Sequence, residues 1–198
     1  MFWDFPRKKN TYYKHYRIAS LTHCRIIMKA DKLFQQFEEE WTYWKHALGG
    51  YTNEQLAELT EASGWTMGQV YDHLIMTSYD LSREWIPECL ASYEETGHLT
   101  KTAAGTALFL VGRFPPIRAK FAGSAPAQPQ GKAEIKTRFD ELLESMRDTR
   151  KVLNDATQSG KKKHFAFGHL DGWEWYRFIT MHMRHHRRQK KRIDEFMS

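Results

Sequence analysis

Hydrophobic positions recur along this chain with helical spacing. Leu33, Phe37, Trp41, Trp44 and Leu48 fall three or four residues apart and predict one face of a helix from about Asp31 to Leu48. Asp31 would cap its start and Gly49-Gly50 would end it. A second helix is expected from Thr66, with Val70, His73, Leu74, Thr77 and Leu81 on its inward stripe. Pro87 lacks an amide proton, so that helix should kink or stop near Ile86, with a continuation to Tyr93. Ile135, Phe139, Leu142, Met146 and Leu153 mark a third helix over about 132–153. Trp175, Phe178, Ile179, His182, His186, Gln189 and Ile193 mark a fourth, which begins after Asp171 and runs to about Phe196.

Start signals punctuate the same pattern. Thr52-Asn53-Glu54-Gln55 and Thr66-Met67-Gly68-Gln69 are capping boxes, and Asp171-Gly172-Trp173-Glu174 is a third start of the same kind. Residues 97–131 are the least regular stretch. Ala103 to Phe114 can form a short apolar helix that Pro115-Pro116 stops, and Ser124 to Gly131 is a Pro/Gly/Ala loop. This length of connection reads as a crossover between the second and third main helices, which would let those two run parallel. No strand alternation of useful length and no internal repeat is visible. The expected class is all-α, a four-helix bundle.

Composition agrees with one globular domain. The chain has 198 residues, 41% hydrophobic and 27% charged, with seven tryptophans to bury. Two cysteines, Cys24 and Cys89, are too few and too far apart for a disulfide framework; two free thiols in a reducing cytoplasm are expected. The net charge of +6 sits mostly at the front: residues 1–28 hold six basic residues against Asp4, which leaves about +1 for the body. Residues 1–28 are read as a basic arm, loosely attached or disordered, or as the product of a start placed upstream of Met28; residues 29–198 form the domain. No run approaches the roughly 18 apolar residues that span a bilayer, so no membrane partner is expected.

Histidine carries the candidate chemistry. His182 and His186 are four residues apart, which on a helix is about 40° in direction and about one turn in height. Both lie on the apolar stripe of the last helix, whereas His185 lies about 60° off on the other flank. Two imidazoles on an apolar seam need polar partners, and a metal ion is one. His73, bordering the stripe of the second helix, can supply a third nitrogen. Three protein ligands and one open position is the pattern of catalytic zinc, and helices of a bundle share such ligands. Gln189, one turn beyond His186, can orient a ligand or bond a histidine nitrogen. Tyr71, Asp72 and His185 are lesser candidates near the mouth.

The stretch Trp65-Thr66-Met67-Gly68-Gln69-Val70-Tyr71-Asp72-His73-Leu74, the stretch Phe167 to Trp175, and His182-x-x-x-His186-x-x-Gln189 together resemble the DinB/YfiT-like superfamily over about residues 29–196. Gly112 to Pro116 is similar to the crossover of one subgroup. The resemblance implies an up-down-down-up four-helix bundle. It implies a metal, zinc or nickel, on the positions of His73, His182 and His186. Characterised members are thiol S-transferases or isomerases that use bacillithiol, mycothiol or glutathione, and others are classed as hydrolases by inference. The expectation is therefore a metal-dependent transferase or hydrolase with a small-molecule substrate, a divalent metal and a low-molecular-weight thiol as the further cofactor. Homodimerisation is open.

Two rivals belong to other classes. Arg184, Arg187, Arg188, Lys190, Lys191 and Arg192 crowd the last helix, with Lys161-Lys162-Lys163 before it, and such a surface can bind nucleic acid. Cations near a helix C-terminus also favour its dipole, which makes nucleic acid the weaker reading. A non-catalytic bundle with structural histidines is the other.

Overall fold

A computed structural model describes residues 12–61, 63–115 and 125–197, with side chains described from Lys29 onward. The chain is mostly helical. Its elements in order are α1 (Tyr12–Gly49), α2 (Asn53–Ala57), α3 (Met67–Asp80), a π-helical turn (Leu81–Trp85), α4 (Ile86–Ala91), α5 (Tyr93–Thr96), α6 (Ala103–Val111), α7 (Lys132–Asp155), β1 (Lys161–His164), β2 (Gly168–Asp171) and α8 (Gly172–Met197). α1 packs on α7 and α8, and α3 packs on the same two helices.

The expected start at Asp31 is corrected: α1 begins at Tyr12, and Asp31 lies inside it. No glycine or proline stands between Tyr12 and Leu48, so nothing in the sequence breaks the helix ahead of Asp31. Residues 1–11 of the expected arm lie outside the described residues.

Three of the other helix starts follow their capping chemistry, whereas α7 starts after Gly131 with no side-chain cap. The Thr52 and Thr66 hydroxyls accept from the Gln55 and Gln69 amides, and each glutamine side chain accepts from its threonine amide in return. At α8, Asp171 Oδ1 accepts from the Glu174 amide and Glu174 Oε2 accepts from the Asp171 amide. The helix around Pro87 continues by widening. The Ile86 amide donates to the Leu81 carbonyl five residues back, and Pro87 then stands in the first turn of α4, where an amide proton is dispensable.

One element was not anticipated. β1 and β2 form a two-stranded antiparallel hairpin, pairing Lys161 with Asp171 and His164 with Gly168. Each strand has four residues, and β1 reads Lys-Lys-Lys-His, so no apolar alternation could reveal it. Side-chain chemistry closes the turn instead: His164 Nδ1 accepts from the Ala166 and Phe167 amides. Gly168 has φ of 77°, and a Cβ there would meet the Thr102 amide at 2.5 Å.

The core lies among the long helices. Phe37, Trp44, Tyr71, Leu74, Phe139, Met146, Trp175, Tyr176, Ile179 and Met183 are all buried. Three hydrogen bonds cross it between helices: Tyr71 Oη donates to the Trp44 carbonyl, Tyr176 Oη to the Met146 carbonyl, and Trp41 Nε1 to the Phe139 carbonyl. Cys89 is a buried free thiol whose pKa burial pushes up to about 12, which leaves it inert. No helix among the described residues is long and apolar enough to cross a membrane.

Candidate metal centre

α3 and α8 face each other, and three of their histidines converge. His182 Nε2 lies 3.1 Å from His73 Nε2 and 3.1 Å from His186 Nε2. One nitrogen from each of the three falls within 4.8 Å of the others. His186 is buried, and His73 and His182 are partly so. The position of His73 follows from the Thr66 capping box, which sets the start and phase of α3; that of the other two follows from the Asp171–Glu174 cap of α8.

Neighbouring groups decide which nitrogens are free. Gln189 Oε1 stands 2.7 Å from His186 Nδ1, while Gln189 Nε2 donates to Ser63 Oγ at 2.7 Å. With the amide so turned, Nδ1 carries the proton of His186, and Nε2 presents its lone pair to the cluster. Thr77 Oγ1 lies 3.5 Å from Nδ1 of His73. Aromatic rings wall the site. Trp65 packs edge-on to His73 with centroids 5.2 Å apart, and Phe178 lies parallel to His182 at 6.1 Å.

Electrostatics keep the imidazoles neutral. Burial lowers the His73 pKa to about 4 against the opposing pull of Asp72. Burial and the neighbouring His73 bring His186 to about 3, with Gln189 opposing. His182 falls well below its ordinary value through burial and then through His186 and His73. Three neutral imidazoles are the form in which histidine binds a metal. Their spacing fits as well: nitrogens at about 2.0–2.1 Å from a tetrahedral ion stand about 3.3 Å apart. A proton serves the cluster less well, because the single Nε2 of His182 is close to two others and one shared proton bridges only one pair.

The lesser candidates separate. Tyr71 turns toward α1 through its bond to the Trp44 carbonyl, away from the histidines. Asp72 also turns away. Its carboxylate pairs with Arg138 at 2.7 Å and accepts from the Ala127 amide at 3.0 Å, so it latches the segment before α7 onto α3. His185 stays at the rim, with its ring 5.4 Å from that of His186 and 5.3 Å from that of Phe114. Sequence reasoning did not single out Ser63, which no periodicity marks. Thr77 was visible only as a stripe residue four places after His73.

The basic end of α8 is largely engaged within the chain. Arg184 and Arg187 both reach the buried Glu40 at 2.8 Å, and Lys190 and Lys191 pair with Asp194 and Glu195 one turn on. Lys162 pairs with Glu88, and Lys161 donates to the Leu99 carbonyl.

No curated protein and no solved structure matches the chain. The family model described as the DinB superfamily matches residues 36–189, an interval that contains all three histidines, Gln189 and Ser63. On that match, which covers well over half of its length, this chain belongs to the DinB superfamily.

Proposed function

We propose that this chain is a metal-dependent enzyme in which His73, His182 and His186 hold one divalent ion, zinc or nickel. The observation that carries the reading is the 3.1 Å approach of His182 Nε2 to the Nε2 atoms of both other histidines. In the same reading α1, α3 with its continuation, α7 and α8 make an up-down-down-up four-helix bundle, and residues 97–131 cross over between the second and third. A bound ion would lower the pKa of a water or a thiol in its open position and so supply a nucleophile near neutral pH.

The chain's own residues prepare that position. Gln189 holds the His186 proton on Nδ1 and leaves Nε2 unprotonated. Ser63 fixes the amide of Gln189 in turn. Phe178 and Trp65 back His182 and His73 with apolar rings, which keep bulk water from two sides of the cluster. Small-molecule thiol transfer, with a low-molecular-weight thiol as co-substrate, and hydrolysis share this first step and differ in what occupies the open position. A homodimer is compatible with either.

Elemental analysis of protein purified without a histidine tag tests the reading. About one equivalent of zinc or nickel, lost in His182→Ala, supports it. No metal in either protein, even after incubation with excess zinc and nickel, would overturn it and leave a bundle with structural histidines.

A further inference from the structure

A groove of about 360 Å³ opens between α1, α6 and the start of α8, a size that holds a small molecule. Leu33, Phe109 and Trp173, all buried, give it an apolar lining. Lys29 and Lys32 border it from α1, and Arg177 borders it from α8. The guanidinium is held in place. Its Nη1 donates to the Phe109 carbonyl at 2.9 Å, and it lies 5.7 Å from the centre of the Phe109 ring. α6 ends there at Gly112, where a Cβ would come within 2.8 Å of Nη2. Lys29 Nζ stands 5.1 Å from the centre of the Trp173 ring. Trp173 is only 7% exposed, and its Nε1 has no hydrogen-bond partner among the described residues. A buried indole N–H ordinarily has one.

The charges around the groove do not cancel. Glu174 lines it too, but its Oε1 pairs with Lys101 and its Oε2 accepts from the Asp171 amide. Asp171, at the start of α8, is the other carboxylate that acts on this region; it is buried, feels Lys29 and Lys101, and accepts from the Glu174 amide. Asp31 on α1 reaches α7 instead, at Arg150 and Asn154. α6 carries no charged residue. Lys29, Lys32, Lys101 and Arg177 therefore face Glu174 and Asp171, and two of the four cations are unmatched. Lys29, Lys32 and Arg177 form no ion pair among the described residues.

We propose that this groove binds a small organic anion, an acid group on an apolar body. The acid group sits among Lys29, Lys32 and Arg177, and the body lies against Leu33, Phe109 and Trp173. The unpartnered Trp173 N–H is a donor for one of its oxygens. Carboxylate and phosphate heads share this chemistry, in which cations and N–H donors meet charged oxygens. The site is separate from the histidine cluster, because His182 lies five residues beyond Arg177 and so about 140° round α8. The inference is independent of the metal reading.

Calorimetric titration of the full chain tests it, with benzoate and phenyl phosphate as the two acid heads, benzyl alcohol as the neutral counterpart and inorganic phosphate as the head without a body. Saturable binding at one site is expected for benzoate or phenyl phosphate, weakening with added salt, and the stronger of the two identifies the head. Benzyl alcohol and inorganic phosphate should bind at least about tenfold more weakly. Lys32→Gln, an exposed substitution, should lower affinity about fivefold. Trp173→Phe keeps an aromatic ring, removes the donor and should lower it about tenfold. Far-UV circular dichroism of both variants should match the parent. His182→Ala should bind as the parent does, since an anion held by a metal would be lost there. Absence of binding by both organic anions would overturn the proposal, as would equal affinity for benzyl alcohol. Binding unchanged in both Lys32→Gln and Trp173→Phe would place the anion elsewhere and overturn this groove. Binding lost in His182→Ala would overturn it in favour of the histidine cluster.

Discussion

The side-chain oxygen of Gln189 lies 2.7 Å from Nδ1 of His186, on the ring edge opposite the histidine cluster. That contact decides the tautomer: the proton stays on Nδ1 and Nε2 is left with a lone pair. Removing such a partner from a metal-binding histidine costs about 10–100-fold in metal affinity. Gln189→Ala should therefore weaken zinc or nickel binding by that factor, read by competition with a chelator of known affinity. Gln189→Glu keeps an acceptor at the same place and should retain affinity. Equal, unimpaired binding in both variants would remove Gln189 from the site.

Acid should destabilise the metal-free protein in a defined window. The folded-state pKa values of His73 and His186 are lowered to about 4 and about 3, against about 6.5 in an unfolded chain. Between those values the unfolded state binds more protons than the folded one, so unfolding free energy falls as pH falls. The loss should begin near pH 6.5 and continue down to about pH 3–4. Urea midpoints of the metal-free protein across that range check the sign, and His186→Gln, which cannot be protonated, should flatten the slope. A midpoint that rises on acidification would contradict the burial of these rings.

Asp72 is buried against Arg138 and the Ala127 amide, and its loss should be felt at a distance. Asp72→Ala strands a half-buried guanidinium, leaving it only Glu134, and frees the segment before α7. A cost of about 3 kcal/mol is expected from breaking one side of such a pair. Adding Arg138→Met should recover part of it, since replacing both partners removes the uncompensated charge. A double-mutant cycle in urea measures this. Strict additivity of the two substitutions would deny the coupling.

Thr66 caps α3 and also donates from Oγ1 to Gln128 Oε1 at 2.5 Å. Thr66→Ala should cost about 1–2 kcal/mol, while Thr66→Ser, which keeps the hydroxyl, should cost much less. Thermal midpoints of the two variants separate the cap from simple loss of a methyl group. A close neighbour sets a stricter limit: a Cβ at Gly68 would lie 2.6 Å from Gln128 Nε2 and 2.7 Å from the Leu56 carbonyl. Gly68→Ala should accordingly displace residues 128–129 and destabilise the protein.

The helical class, the capping boxes at Thr52, Thr66 and Asp171, and the phase that turns His182 and His186 inward were all determined by the sequence. They depend on interactions within three or four residues, which spacing along the chain records directly. The family was legible for the same reason, because its motifs are short runs on two helices. Tertiary structure alone decided the rest. The start of α1 depends on no local breaker, and the β1–β2 hairpin is held by His164 and by contacts with Thr102, more than sixty positions away in the chain. The convergence of His73 with His182 spans 109 positions, and the bond from Gln189 to Ser63 spans 126. Such pairs leave no period in the sequence, since the distance between them is set by how α8 packs on α3 and on the loop before it and not by any residue between them.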